Sequence, residues 1–476
     1  MTSNTLYWYD FETFGSDPRR DRAAQFAGIR TDENLKIISD PLVLYCKPAN
    51  DFLPSPEACL ITGITPQVAM QKGLNEAEFI RRIHDEFSRP GTCVAGYNSI
   101  RFDDELTRQL LYRNFYDPYG REYRDGNSRW DIIDMLRLCA AVRPDGIEWP
   151  IGESGTKVFK LEQLTAANSI AHTEAHDARS DVLATIEMAR LVKQNQPRLY
   201  DYVYNLRFKK NVEQQLDLNH CKPVIHVSAM YPSGQGCLAL VAPVCRHPVD
   251  SNGIVVYDLR EDPANWLTAS SDEIRQRVFT RTEDLPKESR RIPLKTLHVN
   301  RCPIVAPMSI LPADKAADYQ IDLDTCNRHW QKLIEIQDLS VRLRKALEPD
   351  RADAESDPDF MIYSGGFFSD ADRKLMDVVR ESTSEQLVML NLPFRDRRLP
   401  EMLFRYRARN FPESLDEQER QRWETFRHSR MGKHQWQLFE QSMNGAESSA
   451  SDAESMQVLT ALRNYVAQIS GASNRS

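Results

Sequence analysis

The sequence predicts an α/β domain, then a small β-barrel, then a largely helical C-terminal region. Three changes of pattern support this division. Short apolar runs alternate with helical patterns from about residue 5 to 196, and β-rich runs separated by Pro, Gly and Asn occupy about residues 222–310. Mostly helical sequence follows a polar break near residue 353. We therefore predict domains over residues 1–196, 197–352 and 353–476.

The first region is predicted to be a sheet covered by helices. The runs TLYWYDF and TCVAGY are short and apolar, as expected of buried strands, whereas DELTRQLLYRNF and DVLATIEMARLVKQ carry apolar residues at helical spacing. Such alternation is typical of an α/β layer. Pro197 lies in the junction that follows and indicates the first boundary.

The middle region predicts short strands and then helices. The strand candidates, which together favour a small β-barrel, are KPVIHVSAMYP, GCLALVAPVC, GIVVYDL and IPLKTLHVN. CNRHWQKLIEIQ and SVRLRKAL predict helices, and the polar segment EPDRADAESDPD closes the region. The remaining chain is predicted to be largely helical.

Composition excludes several classes of protein. The chain has 476 residues, 61 Lys plus Arg against 69 Asp plus Glu, and a net charge of −8, which excludes a uniformly basic nucleic-acid binder but not a local basic groove. Nine single cysteines without a C-x-x-C predict neither a disulfide framework nor a thiolate zinc site. The N-terminus lacks the basic segment of a signal peptide, and no apolar run approaches the roughly 18 residues of a membrane span. We expect a soluble cytoplasmic protein with reduced thiols and no membrane association.

Asp10 and Glu12 stand at the end of the first apolar run. In a strand, residues i and i+2 project from one face, about 6.6 Å apart along the backbone. A hard divalent cation such as Mg²⁺ prefers carboxylate oxygens placed in this way. About one or two D-x-E triplets are expected by chance in a chain of this length, so the pair gains meaning only from other residues.

More acids and a histidine stand at the starts of two predicted helices. GYNSIRFDDEL places Asp103 at the start of one, with Asp104 beside it as a competitor for the same role. AHDARSDVLATIEMARL places His176 before the other and Asp181 about one turn inside it. Each can equally be a helix cap or a solvated first-turn acid. His172 and His176 are four residues apart, but HTEAH lacks the zincin order, so no zinc site is predicted.

The order Asp-x-Glu, Asp, His-x4-Asp resembles that of the DEDDh exonucleases, 3′→5′ nucleases of the ribonuclease-H-like superfamily. The chain is most similar to bacterial members with two further domains, and the likeness extends to about residue 425. It includes YDFETFGSDPRRDRAAQFAGIRTD, GYNSIRFDDELTRQLLYRNFYDPY, NSRWDIIDMLR, AHDARSDVLATI, GFFSDADR and LFRYRARNFPESLDEQERQRW. The resemblance implies an exonuclease domain with a mixed sheet, an SH3-like β-barrel domain and a helical C-terminal domain.

The resemblance also implies roles for the acids and the histidine. Asp10, Glu12 and Asp181 are implied as the main metal ligands, Asp103 as completing a second site, and Glu12 as a substrate contact as well. Two Mg²⁺ ions, with Mn²⁺ as an alternative, clamp the attacking and leaving oxygens in such a site. His176 suits a general base because neutral imidazole accepts a proton near pH 7.

Residues 108–143 interleave arginines with aromatic side chains. Arginine neutralises phosphates and aromatic faces stack on unpaired bases, so this combination suits a single strand. The alternative is a loop whose aromatics pack in the core and whose charges pair with one another. Our candidates for strand contacts are Arg108, Tyr119, Tyr123 and Arg137, and the resemblance implies that Lys160 contacts a substrate phosphate.

The resemblance further implies processive 3′→5′ hydrolysis of single-stranded DNA to 5′-mononucleotides, by a monomer acting in DNA repair and recombination. A single-stranded-DNA-binding protein is the implied partner, with its acidic tail in a pocket that includes Arg143 and Tyr202. Arg405, Arg407 and Arg409 of RYRARN either contact DNA or pair with the acid-rich ESLDEQE that follows.

Two other functions stay open at this point. A 3′→5′ exoribonuclease would use the same acids, because these do not distinguish ribose from deoxyribose. However, an enzyme that trims short RNA would not need the additional barrel and helical domains. A non-catalytic single-strand-binding scaffold is the second alternative, and the filled catalytic positions argue against it.

Overall fold

A computed structural model describes residues 4–172, 177–287, 289–349 and 355–471. Its strands are β1 (Thr5–Thr13), β2 (Ala23–Asp32), β3 (Leu42–Tyr45), β4 (Thr92–Gly96), β5 (Ser128–Asp131), β6 (Val224–Val227), β7 (Leu238–Arg246), β8 (Gly253–Asp258), β9 (Leu294–His298) and β10 (Ile304–Pro307).

The first helices, which belong to the sequence before the β-rich region, are α1 (Pro56–Thr62), α2 (Pro66–Lys72), α3 (Glu76–Phe87), α4 (Asp103–Arg113), α5 (Ile133–Val142), α6 (Leu161–Ala167), α7 (Ala178–Asn195), α8 (Pro197–Asn205) and α9 (Lys209–Gln215). The later helices are α10 (Ser271–Phe279), α11 (Ala313–Asp318), α12 (Leu323–Ile334), α13 (Leu339–Ala346), α14 (Asp370–Glu381), α15 (Ser384–Met389), α16 (Leu399–Asn410), α17 (Glu417–Arg430), α18 (Lys433–Ser449) and α19 (Ala453–Gly471). In the described ranges, no helix combines the length and the apolar character that a membrane crossing requires.

The chain forms two compact units. The first unit comprises Met1–Ser128, His172–Thr185 and Asp353–Ser476, and the second comprises Arg129–Ala171 and Ile186–Ala352. These compact units do not test the three predicted domain ranges, which stay predictions.

The first unit contains a mixed sheet, as the resemblance implied. β1 pairs antiparallel with β2 and parallel with β4, in the order β3-β2-β1-β4. The register sets Glu12 opposite Gln25 on β2. The predicted strands TLYWYDF and TCVAGY are confirmed as β1 and β4, whose apolar side chains are buried. The central position of β1 therefore places its acids in the middle of the domain.

Helices cover this sheet through an aromatic core. Phe79 and Phe87 of α3 pack with Tyr9 of β1 and Phe26 of β2, and Leu106 of α4 joins the same cluster. The predicted helices are confirmed as α4 and α7, which begin at Asp103 and Ala178. Both helices begin close in sequence to predicted site residues.

The C-terminal helices of the first unit pack on its N-terminal segment, Met1–Ser128. One apolar cluster joins Phe14 and Cys59 to Met443, Leu462 and Tyr465 of α18 and α19. The predicted helical character of this region is confirmed by α14 to α19.

A group of buried charges joins the same two segments of the first unit. Asp51 and Asp359 are both enclosed, and the guanidinium of Arg409 pairs with each of them, at 2.9 and 2.5 Å. Arg430 also approaches Asp359, at 2.8 Å. Ion pairs in the interior require matched partners, so this group links the C-terminal helices specifically to the N-terminal segment.

The second unit contains an antiparallel sheet in the order β10-β6-β7-β8-β9. Its strands confirm the four predicted β-rich runs, and its core contains Val224, Val241, Val256, Leu297 and Val305. The helices predicted after these strands are confirmed as α12 and α13. None of the nine cysteines, all of which lie in the described ranges, forms a disulfide.

Candidate active site

Asp10, Glu12 and Asp181 form a carboxylate cluster. Each offers an oxygen, and these oxygens lie within 4.8 Å of one another. β1 supplies the first two because alternate residues of a strand share one face, and the first turn of α7 supplies the third. This is the one such group of ligand-type residues in the part of the chain that the structure describes. We call these three residues the acid cluster.

Asp103 lies beside the acid cluster. It is the first residue of α4, and its Oδ1 accepts a hydrogen bond of 3.3 Å from the backbone N–H of Phe11, which lies between the two acids of β1. Its charge also acts on Asp10 and Glu12, since it is among the causes that raise the pKa of each. The structure thus brings together all four acids that the sequence singled out.

Asp104, the competitor of Asp103, has a structural role. Its Oδ1 accepts hydrogen bonds from the hydroxyl of Tyr9 at 2.9 Å and from the guanidinium of Arg121 at 2.6 Å. Both Asp104 and Arg121 are enclosed. Because these two donors hold Asp104 in a buried ion pair, Asp103 is the adjacent acid that faces the acid cluster.

Burial and mutual repulsion raise the pKa of both acids on β1. Burial, followed by the charges of Asp103 and Glu12, raises the pKa of Asp10 well above its ordinary value. Burial, followed by the charge of Asp181, raises the pKa of Glu12 from 4.5 to about 9. A divalent cation bound by oxygen ligands would offset the like charges of acids crowded in this way. The donor set therefore fits a Mg²⁺-type cation.

Gln25 connects the start of α7 to the sheet. Opposite Glu12 on β2, its Nε2 donates to the Tyr45 hydroxyl at 3.0 Å and to Asp177 Oδ1 at 3.3 Å. Its Oε1 accepts from the backbone N–H of Ala178, at 3.3 Å. Gln25 therefore fixes the end of α7 that carries the third acid. Sequence reasoning missed it, and the available signal was a glutamine inside the apolar run AAQFAGI.

Of the two histidines of HTEAH, the structure describes only His172. His176, the predicted general base, lies outside the described residues. The side chain of His172 is 5% exposed, and its Nε2 lies 2.5 Å from Asp181 Oδ1. Sequence reasoning considered His172 only for zinc, so its contact with the acid cluster was missed.

The predicted strand contacts of the first unit differ in exposure. Arg108 is enclosed, donates to Glu122 at 2.7 and 3.0 Å and stacks on Tyr119, so the charge-pairing alternative describes it well. Tyr123 is 63% exposed. Tyr119 is partly buried, and its ring meets that of Phe367, which is 88% exposed. Phe367 was not predicted as a strand contact, because the sequence around it does not show whether its ring is exposed.

The other predicted contacts lie in the second unit. Lys160 is exposed and directly precedes α6, as expected. Arg137 pairs with Asp134 one turn before it. Arg143 donates to a neighbouring backbone carbonyl at 2.6 Å, and the half-buried hydroxyl of Tyr202 donates to a β10 carbonyl at 2.8 Å. Their roles toward DNA and a partner stay predictions.

The RYRARN arginines are engaged in ion pairs. Arg407 pairs with Glu419 of the acid-rich segment, at 2.6 and 2.9 Å, as the salt-bridge alternative predicted. Arg405 and Arg409 differ from that prediction because they pair with Asp359, a buried acid that precedes the motif. The motif therefore stabilises the helical region.

Three family models match successive parts of the chain. The Exonuclease model matches residues 7–189, the Exonuclease I SH3-like domain matches 207–349, and the Exonuclease I C-terminal domain matches 356–469. The acid cluster and Asp103 lie within the first range. The order of the three models agrees with the fold class predicted from the sequence.

Relatives match the chain over most of its length. Exodeoxyribonuclease I of Escherichia coli is 45% identical over 427 residues, which are 88% of this chain and 88% of that protein. A moderately thermophilic exonuclease I from Methylocaldum szegediense has a solved structure with 50% identity and a TM-score of 0.93, covering 98% of this chain and 99% of that one.

Two solved structures that include binding partners are also similar to this chain, and the first of them is of the E. coli protein. Exonuclease I in complex with a dA16 oligonucleotide is 42% identical, has a TM-score of 0.95, and covers 98% of this chain and 100% of that one. A structure of SSB/exonuclease I in complex with an inhibitor is 42% identical, has a TM-score of 0.91, and covers the same shares of the two chains.

Proposed function

The chain belongs to the exodeoxyribonuclease I family, and on this premise we propose that it hydrolyses single-stranded DNA from the 3′ end, processively, to 5′-mononucleotides. The observation that carries the proposal is the acid cluster with Asp103 beside it, inside the segment matched by the exonuclease model. Repair and recombination of DNA are the processes in which such an activity is used.

The described residues support a division of roles. Asp10, Glu12 and Asp181 would hold divalent cations, Mg²⁺ in preference with Mn²⁺ as a substitute, and Asp103 would complete a second site. Two such cations, when bound, assist deprotonation of water and offset the charge on the scissile phosphate. His176 is proposed to accept the proton of the attacking water on its ring nitrogen.

Exposed aromatic rings near α4 support a single-stranded substrate. Tyr123 and Phe367 are largely exposed. Tyr363 is 50% exposed, and its hydroxyl donates a hydrogen bond to the carboxylate of Glu105. Glu105 lies in the same helical turn as Asp103. Exposed rings offer stacking faces to unpaired bases, whereas the bases of a duplex are already stacked on one another. We propose that the strand passes these rings toward the acid cluster.

The sequence-based alternatives have less support. The relatives that cover most of the chain are exodeoxyribonucleases, which argues against an exoribonuclease. All four acids converge in space, and a scaffold that only binds strands has no need of that convergence.

Partner and location complete the proposal. An exonuclease I has been solved with SSB, which supports a single-stranded-DNA-binding protein as partner here, docking its acidic tail near Arg143 and Tyr202. We propose that the enzyme acts as a monomer in the cytoplasm, a reducing compartment that would keep its nine cysteines as thiols.

The proposal is tested with single strands labelled at the 3′ or the 5′ end, incubated with Mg²⁺, with Mn²⁺ or with EDTA. We expect immediate release of the 3′ label, late release of the 5′ label and no cleavage in EDTA. Matched RNA should persist. Asp10→Asn should abolish cleavage, whereas Asp40→Asn, which changes an exposed acid of the β2–β3 connection, should not. Early release of the 5′ label, or cleavage in EDTA, would contradict the proposal.

A further inference from the structure

A buried histidine to which the proposed catalysis gives no role lies against the acid cluster. His172 follows α6, and its Nε2 is 2.5 Å from Asp181 Oδ1. We infer that His172 is a positioning residue, which holds the Asp181 carboxylate in the orientation that cation binding requires. The inference rests on the proposed function, because it assigns His172 a role toward the same cation site.

Asp181 differs from the two acids of β1 in the element that carries it. Asp10 and Glu12 are neighbours on one strand, and Asp103 is held by the backbone N–H of Phe11. Asp181 comes from a separate helix, and its side chain is 17% exposed. When ionised, as cation binding requires, Asp10 and Glu12 repel the Asp181 carboxylate.

The contact with His172 opposes this repulsion. A hydrogen bond from the imidazole N–H to one carboxylate oxygen restricts rotation about the Cβ–Cγ bond and leaves the second oxygen free to bind a cation. Donors of this kind around metal ligands typically contribute about 10- to 100-fold to metal affinity. Gln25 fixes the backbone at the start of α7, and His172 fixes the side chain that this helix carries.

The test measures Mn²⁺ binding to the metal-free, full-length protein by calorimetry. His172→Leu should weaken the Mn²⁺ affinity about 10- to 100-fold, while His172→Gln, which keeps an N–H donor, should stay within about threefold of the parent. His84→Leu is the matched control, because the ring of His84 packs on Tyr116 in the same unit and belongs to no acid cluster. Thermal unfolding in EDTA should show folded protein for each variant.

Turnover provides a second measurement. At saturating Mn²⁺ the Leu variant should recover most of the parental turnover, because positioning affects occupancy of the site and leaves the chemical step intact. Parental or tighter Mn²⁺ binding by His172→Leu would overturn the inference, and so would a Gln variant as weak as the Leu variant. If His172→Leu does not fold, His172→Asn, whose amide is too short to reach Asp181, replaces it with the same expected loss.

The two proposals fail separately. A parent protein that binds no Mn²⁺ and cleaves no strand would contradict the proposed function. A parent that binds and cleaves, with a Leu variant that binds equally well, would contradict only the role of His172.

Discussion

Glu76 is the position at which a single substitution should reveal how buried charge stabilises the first unit. It begins α3, and its two oxygens accept hydrogen bonds from Arg113 at 2.7 and 2.8 Å. Asn114 donates a third, at 2.9 Å. Burial by itself would raise the pKa of Glu76, but the charge and hydrogen bonds of Arg113 outweigh it and lower the pKa from 4.5 to about 2.

This pKa sets the magnitude of the expected effect. At about 1.4 kcal/mol for each pH unit between the two values, the ionised Glu76 contributes about 3 kcal/mol to the free energy of unfolding at pH 7. Because the pKa is lowered on folding, the contribution is complete above about pH 4.5 and disappears as the pH falls through about 2. At pH 3, about 1.4 kcal/mol should remain.

Urea denaturation of the parent and of Glu76→Gln at pH 7, 5 and 3 measures this contribution. Glutamine keeps the shape of the side chain but leaves the enclosed guanidinium of Arg113 without its counter-charge, so the variant should lose about 3 kcal/mol at pH 7. Glu78→Gln on the same helix is the matched control. Glu78 pairs with Arg81 at the surface and should contribute less than about 1 kcal/mol.

Two results would refute the reasoning about Glu76. One is a loss at pH 7 no larger than that of the Glu78 control. The other is a loss that stays the same between pH 7 and pH 3, because a contribution from the ionised carboxylate must decrease as the unfolded chain takes up the proton.

Three further predictions concern the site. His176→Ala should lower single-turnover hydrolysis about 10²- to 10⁴-fold with unchanged strand affinity, and a parental rate would exclude it as the base. The pKa of Glu12 is raised to about 9, so ionisation of Glu12 opposes folding increasingly above pH 4.5. In EDTA, the melting temperature of Glu12→Gln should therefore be higher than that of the parent at pH 8 and equal to it at pH 4. A melting temperature below that of the parent at pH 8 would contradict this prediction. Asp104→Asn should lower the free energy of unfolding by about 3–5 kcal/mol in urea denaturation, because it removes the charged partner of buried Arg121. Its Mn²⁺ affinity, measured by calorimetry, should equal that of the parent. A weaker affinity would place Asp104 in the site.

Local sequence was sufficient for much of the fold. The apolar runs that predicted β1 and β4 are buried strands, and the helical periodicities that predicted α4 and α7 are helices. Periodicity predicts these elements well because it records which face of an element is buried. The same reasoning predicted that Asp10 and Glu12 share one face, since strand geometry alone requires it.

What the sequence by itself determined is therefore the class of the strongly patterned elements and the set of acids that we propose for the chemistry. Only the tertiary structure decided which adjacent acid faces the site, because Asp103 and Asp104 differ solely in how α4 docks on β1. It likewise decided that Arg405 pairs with a distant acid and that His172 meets Asp181. The physical reason is that the free energy of a buried charge depends on its partner, and these partners come from other elements, which local patterns do not specify.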